Sequence, residues 1–167
     1  MPMLPFTKMH GAGNDFVMVA AADLEASGVV LDDGTIARLC HRQTGVGADG
    51  LIVVHPHTDA DFRMMYANSD GGEVEMCGNG ARCAYAFAYE RGMVGESGTF
   101  VSAAGCHTGR RVDGMVAVSL TEPFDTALDI DAGIEHPFAA VHRSNTGVPH
   151  LVIPVENLET VDLPRWG

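Results

Sequence analysis

Short apolar stretches separated by glycine-rich turns dominate the first part of the chain. Leu4–Met9 and Phe16–Ala21 flank one such turn and predict two short strands. Apolar positions recur on one face of Asp33–His41, which predicts a helix capped by its first residue. Leu51–His55 has the continuous apolar character of a buried strand, and the apolar positions of Phe62–Tyr66 alternate as in a strand with one buried face. The pattern therefore predicts a sheet with an accompanying helix.

A second helix differs from the first because it is apolar on nearly every side. It covers Ala81–Arg91, is preceded by Cys77-Gly-Asn-Gly80, and is followed by Gly92, a common helix stop. A helix that is apolar most of the way round is typical of a central, buried position. The sequence therefore predicts that this helix lies inside the fold.

Short strands return after this helix. Arg110–Val112 and Met115–Leu120 flank Asp113-Gly114, a strong signal for a hairpin turn. We expect these two segments to pair with each other.

The polar segment Thr121–Glu135 indicates a connection between two units. New strands are predicted at Phe138–His142 and Leu151–Val155. These features predict an N-terminal unit over residues 1–122. Residues 123–167 are predicted to be a connection and the incomplete start of a second unit.

Composition and charge narrow the classes of function. The 167 residues are 46% hydrophobic and carry a net charge of −12, which is unfavourable for binding nucleic acid or anionic membranes. No apolar run approaches the ~20 residues of a membrane span, and the first residues lack the layout of a signal peptide. We expect a cytoplasmic protein with neither a nucleic-acid nor a membrane partner.

The four cysteines are Cys40, Cys77, Cys83 and Cys106, and no pair has the spacing of a zinc site. No metal site is expected. Cys77 stands where a thiolate feels the positive end of the buried helix and its free N–H groups, and the neighbouring glycines leave those amides open to a ligand carboxylate. Such a thiol suits proton transfer beside a carboxylate. By position alone, a small apolar cysteine packed at a helix end is an equally good interpretation.

The other candidate residues have structural alternatives. Cys83 lies six residues along the helix from Cys77, turned ~120° away and ~9 Å further on, so it is predicted to be core, as is Cys40. Cys106 is predicted to lie in a turn and is not assigned. Asn14 and Asn68 lie in predicted turns, where asparagine commonly serves the backbone.

Two further features are weak signals on their own. A lone histidine such as His150 is more often structural or solvated than catalytic. Gly45–Gly50 matches the dinucleotide pattern G-x-G-x-x-G, but it follows a helix and precedes a strand, the reverse of the required order, so a turn is favoured.

Taken together, five segments resemble the sequence signatures of the diaminopimelate epimerases. In chain order they are Lys8–Phe16, Arg42–Gly50, Asn68–Gly71, Glu75–Cys83 and Asn145–His150. The resemblance implies an α/β fold of the α+β type, in which a curved, mostly antiparallel sheet wraps around a central buried helix. It also implies a second similar unit, here truncated, with the active site between the units.

The resemblance implies an isomerase without cofactors that interconverts LL- and meso-diaminopimelate, on the route to lysine and the cell wall. One thiolate removes the α-proton while a thiol on the opposite face returns one. Carried over by position, the catalytic residues are Cys77 and His150, and the substrate-binding residues are Asn14, Asn68, Gly78 and Asn79.

Three departures from the family pattern limit this transfer. Some members have Gln at the position of Gly50, and some have Asn at the position of Val148, for which Asn145 is a possible substitute. The family's second catalytic cysteine and its Glu-Arg substrate clamp lie in a C-terminal portion that this sequence does not include. We therefore expect the chain to be inactive alone, to need that missing half as a partner, and to form a homodimer when complete.

Two other classes of function remain open. The chain could belong to a proline or hydroxyproline epimerase or a methylitaconate-type isomerase of the same fold. Cys77-Gly-Asn79 favours the diaminopimelate type, because proline racemases place His after the Cys-Gly pair. The chain could also be a non-catalytic module that binds a carboxylate or no ligand.

Overall fold

The computed structural model describes residues 3–166. Contacts divide the chain into two compact units, Met1–Thr121 and Glu122–Gly167. The interpretation of the second unit as the incomplete start of a similar domain stays a prediction.

Over its described residues, 3–121, the first unit contains one eight-stranded sheet and three helices. Its strands are β1 Thr7–Gly11, β2 Asn14–Ala20, β3 Gly50–His55, β4 Phe62–Asn68, β5 Glu73–Val74, β6 Ser97–Ser102, β7 Gly105–Val112 and β8 Met115–Val118. Its helices are α1 Ala21–Ser27, α2 Asp33–Cys40 and α3 Gly78–Glu90. The strand order is β1-β2-β3-β4-β6-β7-β8, with β5 paired to β4. Only the pairs β2/β3 and β4/β6 are parallel, so the described sheet is mostly antiparallel, as predicted.

The alternation of side chains along β2 and β3 supplies a core on each face of the sheet. Phe16 and Met18, with Ile52 of β3, pack on the α3 side. Val17 and Val19 pack on the opposite side, against residues of α2. Because a strand covered on both faces has no polar side, β3 is a continuous apolar run in the sequence.

Helix α3 is the centre of the larger core, which confirms the predicted buried helix. It contacts β1, β2, β3, β4 and β8, so the sheet curves around it. Tyr85 and Phe87 are fully buried, and a side chain of this size stabilises a fold by ~1.5–3 kcal/mol when buried. The helix ends at Glu90, and Gly92 two residues later has a φ of 69°, which permits a backbone bond from Met93 N–H to Ala88 C=O (2.9 Å).

The predicted hairpin at Asp113-Gly114 is confirmed, and the two strands predicted around the first glycine-rich turn also pair as a hairpin. The turn between β1 and β2 is Ala12-Gly13, with φ of 53° and 88°, and the turn between β7 and β8 is Asp113-Gly114, with φ of 51° and 79°. Positive φ at both turn residues matches the twist of the flanking strands. The first strand begins at Thr7 rather than at the predicted Leu4.

Two local predictions are wrong, and the pattern misses one helix. The cap of α2 is Asp32 and not Asp33, because the Asp32 carboxylate accepts the Thr35 N–H (2.7 Å) from an extended backbone. Cys106 lies in β7, paired with Val101, and not in a turn. Helix α1 has no apolar stripe in its sequence and is not predicted from the pattern.

The second unit contains a small sheet in the order β11-β10-β9. The strands are β9 Phe124–Ala127, β10 His142–Asn145 and β11 Pro149–Val152, followed by a 3₁₀ turn at Leu158–Thr160 and α4 Leu163–Trp166.

The sequence places two of these strands incorrectly. Strand β9 falls inside the segment predicted to be a connection, and β10 begins four residues later than predicted. These strands carry polar side chains that pair across the sheet, such as Thr126 with Ser144 (2.8 Å) and Asp125 with Arg143 (2.8 Å), so apolar alternation does not reveal them. Over residues 3–166, none of the helices has the length and apolar character to cross a membrane.

Gly50 supplies a test of the packing between β3 and β4. A Cβ atom there would lie 2.5 Å from both the Ala67 carbonyl oxygen and the Tyr66 ring. We expect Gly50→Ala to lower the free energy of unfolding by ~1–3 kcal/mol through overpacking, measured by urea denaturation. Gly34→Ala is the matched control, because a Cβ there meets only ordinary contacts. It should leave stability unchanged or raise it by up to ~1 kcal/mol. Equal losses in the two variants would contradict the packing argument.

Candidate active site

Cys77 occupies the capping position of α3, as its place in the sequence predicts. Its backbone is extended, and its sulfur accepts the Gly80 N–H at 3.4 Å. The side chain is half-buried. A thiolate at this position receives a hydrogen bond and faces the positive end of a 13-residue helix.

Two asparagines lie against this cysteine, and together the three residues form what we call the Cys77 cluster: Asn14, Cys77 and Asn79. The Asn14 Oδ1 atom accepts from the Cys77 thiol at 3.7 Å and from Asn79 Nδ2 at 3.3 Å. The structure thus brings together residues separated by more than 60 positions in the sequence.

The β1–β2 hairpin places Asn14 in the cluster, since Asn14 is the first residue of β2. Gly11, at the end of β1, makes this approach possible, because a Cβ there would lie 3.0 Å from the Asn79 carbonyl oxygen. The hairpin therefore packs closely on the first turn of α3.

Charged residues support Asn14 from the side away from the cysteine. Asn14 Nδ2 donates to Asp49 Oδ2 at 2.8 Å. The Asp49 carboxylate forms an ion pair with Arg42 (2.7 Å). The backbone N–H of Asp15 donates to the Asp49 carboxylate, and the backbone N–H of Asp49 donates to the Asp15 carboxylate. Asp15 also forms an ion pair with Lys8 (2.9 Å). The hydrogen bond from Asn14 is the main cause that lowers the pKa of Asp49, and Arg42 is the main cause for Asp15. Both carboxylates are therefore ionised near neutral pH.

Asn68 lies at the end of β4 and is exposed, and its side chain is oriented by a neighbour. The Tyr66 hydroxyl donates to Asn68 Oδ1 at 2.6 Å. Burial, followed by the nearby charges of Cys77 and Asp49, raises the pKa of Tyr66 to about 12, so Tyr66 remains a donor. Among the described residues, the hydrogen bonds of Asn68 go to Tyr66 and to its own turn, and not to the Cys77 cluster.

The departure at Gly50 has a counterpart in Tyr66. A side chain at position 50 would begin 2.5 Å from the Tyr66 ring and 3.3 Å from its hydroxyl. In this chain the tyrosine therefore occupies the space into which a longer residue 50 would extend.

His150 lies in the second unit, on β11. It is exposed, and its backbone partner on β10 is Ser144. The side-chain oxygen of Asn145, Oδ1, accepts the Gly147 N–H at 2.8 Å, so this oxygen is used within its own turn. The roles of His150 and Asn145 stay predictions.

The remaining cysteines differ in environment from Cys77. Burial raises the pKa of Cys83 to about 11 and raises the pKa of Cys40, which agrees with their interpretation as core residues. Cys106 is exposed.

Sequence reasoning missed three residues that organise the site: Tyr66, Asp49 and Arg82, whose guanidinium donates to Asn79 Oδ1. Asp49 and Arg82 lie inside segments that resemble the family signatures, but their partners are set by the folded structure.

Comparisons with known proteins agree with this architecture. A solved probable proline racemase from Agrobacterium radiobacter superposes with a TM-score of 0.65 at 18% identity, covering 93% of this chain and 53% of that one. A hydroxyproline epimerase from Agrobacterium vitis, with bound trans-4-hydroxy-L-proline, gives 0.65 at 16% identity, with the same coverage. The chain therefore shares the fold of these two proteins.

Sequence comparison identifies the family. Residues 6–117 match the family model of diaminopimelate epimerase. The chain is 40% identical to the diaminopimelate epimerase of Aquifex aeolicus, over 98% of this chain and 62% of that protein. It is 41% identical to that of Desulfitobacterium hafniense, over 98% and 64%. This chain belongs to the diaminopimelate epimerase family, and it spans less than two thirds of the length of these relatives.

The environments of the thiols predict an order of reactivity. We expect iodoacetamide near pH 8 to alkylate Cys77 well before Cys40 and Cys83, because burial holds both core thiols protonated and covered. Peptide mass spectrometry over a time course measures the order. A Cys106→Ser background removes the exposed competitor. Alkylation of Cys40 or Cys83 before Cys77 in folded protein would reject the site.

Proposed function

We propose that this chain is the first part of an enzyme that interconverts LL- and meso-diaminopimelate, and that Cys77 is one of its two acid–base thiols. The observation that carries the proposal is the environment of the Cys77 sulfur, which touches the Gly80 N–H on one side and the Asn14 carbonyl oxygen on the other. Membership of the family supplies the substrate and the reaction class.

The two contacts of the sulfur suit a group that must both take and give a proton. The Gly80 N–H stabilises the thiolate that removes the α-proton. Once the sulfur has taken up that proton, the resulting S–H group donates a hydrogen bond to Asn14 Oδ1. The thiolate and the thiol therefore each have one hydrogen-bond partner, so neither protonation state is strongly favoured over the other.

The first turn of α3 is the proposed binding site for the substrate carboxylate next to the reacting carbon. In the part of the chain that the structure describes, no hydrogen bond occupies the backbone N–H groups of Gly78 and Asn79. Gly78 has no side chain to cover them, and an added Cβ there would meet Leu120 only at 3.5 Å. A carboxylate bound to these amides would place its α-carbon beside the Cys77 sulfur.

Asn14 and Asn68 are proposed to bind the polar groups of the substrate. The Asn14 oxygen and one of its N–H bonds are occupied, which leaves one N–H bond for a ligand. The oxygen of Asn68 is occupied by Tyr66, which leaves its amide nitrogen as a donor to a carboxylate. His150 is proposed to tune the thiols.

The second acid–base group is proposed to come from the part of the family's length that this sequence does not cover. Proton exchange at one carbon from both faces needs a group on each face. Cys83 does not fit, since it is 3% exposed within the core on α3. A homodimer is proposed for the complete enzyme.

A chimera tests the proposal. In it, the 167 residues are followed by the remaining residues of the Aquifex aeolicus relative. We expect the chimera to convert LL- into meso-diaminopimelate and to exchange the α-proton in deuterated water, measured by NMR. The 167-residue chain alone should stay far below ~1 per second. Activity of the chimera that survives Cys77→Ala, in protein shown to be folded by circular dichroism, would reject Cys77. Enzyme-like turnover by the 167 residues alone would reject the two-thiol mechanism.

Asn68→Ala in the same chimera tests whether Asn68 binds the substrate. We expect kcat/KM to fall by about ten- to a hundredfold, since hydrogen bonds to a charged substrate contribute ~1.5–3 kcal/mol. Ser69→Ala is the matched control in the same exposed turn and should leave kcat/KM unchanged. Normal kinetics in Asn68→Ala would show that Asn68 serves only the turn.

A further inference from the structure

The hydrogen bonds of the Cys77 cluster continue beyond it to a charged group at each end. Asp49 accepts from the Asn14 amide nitrogen (2.8 Å), and the Asn14 oxygen accepts from the Asn79 amide nitrogen (3.3 Å). The Asn79 oxygen in turn accepts from the Arg82 guanidinium. We call this row of four residues, Asp49–Asn14–Asn79–Arg82, the amide relay.

The chemistry of the two ends gives the amide relay a direction. An ionised carboxylate can only accept hydrogen bonds, and a guanidinium can only donate them. Asp49 therefore requires the NH₂ group of Asn14, and Arg82 requires the oxygen of Asn79. Both requirements turn the Asn14 oxygen toward Asn79 and the Cys77 sulfur. With both asparagines reversed, the Asn14 oxygen would face the Asp49 carboxylate and the Asn79 NH₂ group would face the Arg82 guanidinium, so the hydrogen bonds at both ends would be lost.

We propose that Asp49 and Arg82 are positioning residues that fix, through the amides of Asn14 and Asn79, which atom of Asn14 faces the Cys77 sulfur. The proposal rests on the proposed role of Cys77 in proton transfer. The Asn14 oxygen accepts from a thiol and repels a thiolate, whereas an NH₂ group in its place would stabilise the thiolate. The amide relay therefore keeps Cys77 able to return a proton as well as to remove one.

Four groups that surround the amide relay and the sulfur keep one charge state around neutral pH. The charged and titratable groups near the amide relay and the sulfur are Lys8, His10, Asp15, Arg42, Tyr66, Cys83 and Arg110. Burial holds the pKa of Tyr66 at about 12 and that of Cys83 at about 11, so both keep their protons. The lowered pKa values of Asp15 and Asp49 keep both carboxylates ionised.

The test uses the 167-residue chain in a Cys106→Ser background and measures the rate of Cys77 alkylation as a function of pH. Asp49→Asn replaces a group that can only accept hydrogen bonds, and Arg82→Gln replaces a group that can only donate them. In both variants the new side chain is an amide, which can do either. Each substitution removes one of the two constraints on Asn14, so its NH₂ group should face the sulfur for a larger fraction of the time than in the unmodified chain. We expect this contribution to lower the pH midpoint of alkylation by ~0.5–1 unit in both variants.

Direct charge effects act differently, and the Asn14→Ala background isolates them. Removing the negative charge of Asp49 lowers the midpoint through space, whereas removing the positive charge of Arg82 raises it. In Asn14→Ala only these charge effects remain. For each substitution, we subtract the shift of the pH midpoint measured in the Asn14→Ala background from the shift measured with Asn14 present. This difference should be negative for both substitutions. Differences that are near zero or opposite in sign would overturn the proposal.

A second measurement does not depend on the folding of any variant. In the unmodified chain, one of the two side-chain amide protons of Asn14 is bonded to a carboxylate. Proton–nitrogen NMR should show that proton shifted downfield and exchanging more slowly than its partner. Two equivalent, rapidly exchanging protons would overturn the amide relay. Neither measurement uses enzyme activity. An inactive chimera would therefore reject the proposed function without deciding the amide relay. A negative result in the alkylation or NMR measurement would reject the amide relay without deciding the proposed function.

Discussion

The burial of α3 inside the curved sheet is the interaction on which the rest of the first unit depends. The helix buries seven of its thirteen residues and contacts strands from one edge of the sheet, β1, to the other, β8. Glycine allows a close approach where the sheet backbone meets a large side chain of the helix. A Cβ at Gly109 of β7, for example, would lie 2.3 Å from the Tyr85 ring.

The same burial creates the candidate site. A helix enclosed by strands presents its first turn at the rim of the sheet, where the N–H groups have no partner within the helix. Cys77 satisfies one of these groups, and the β1–β2 hairpin brings Asn14 to the sulfur. The ion pairs of Asp15 and Asp49 with Arg42 then hold the hairpin against the loop that precedes β3. The core thus fixes the position of the site, and the charged residues fix the orientation of its amides.

Much of this architecture could be predicted from the sequence, because its causes are local. Phe16–Ala21 and Leu51–His55 are buried strands whose apolar character is visible at once, and Asp113-Gly114 is a turn that few other residues can form. The polar strands of the second unit could not be predicted in the same way. Strand β9 is stabilised by partners such as Ser144 and Arg143, which lie some eighteen residues away.

The sequence by itself determined the family, the buried helix and the cysteine at its start, since each depends on residue types in a short, continuous segment. Only the tertiary structure decided which polar groups surround that cysteine. Asn14 and Cys77 are 63 residues apart in the chain, and Asp49 lies between them in sequence but behind Asn14 in space. The direction of an amide depends on which neighbour donates and which accepts. That choice is made only when strands distant in sequence are packed side by side.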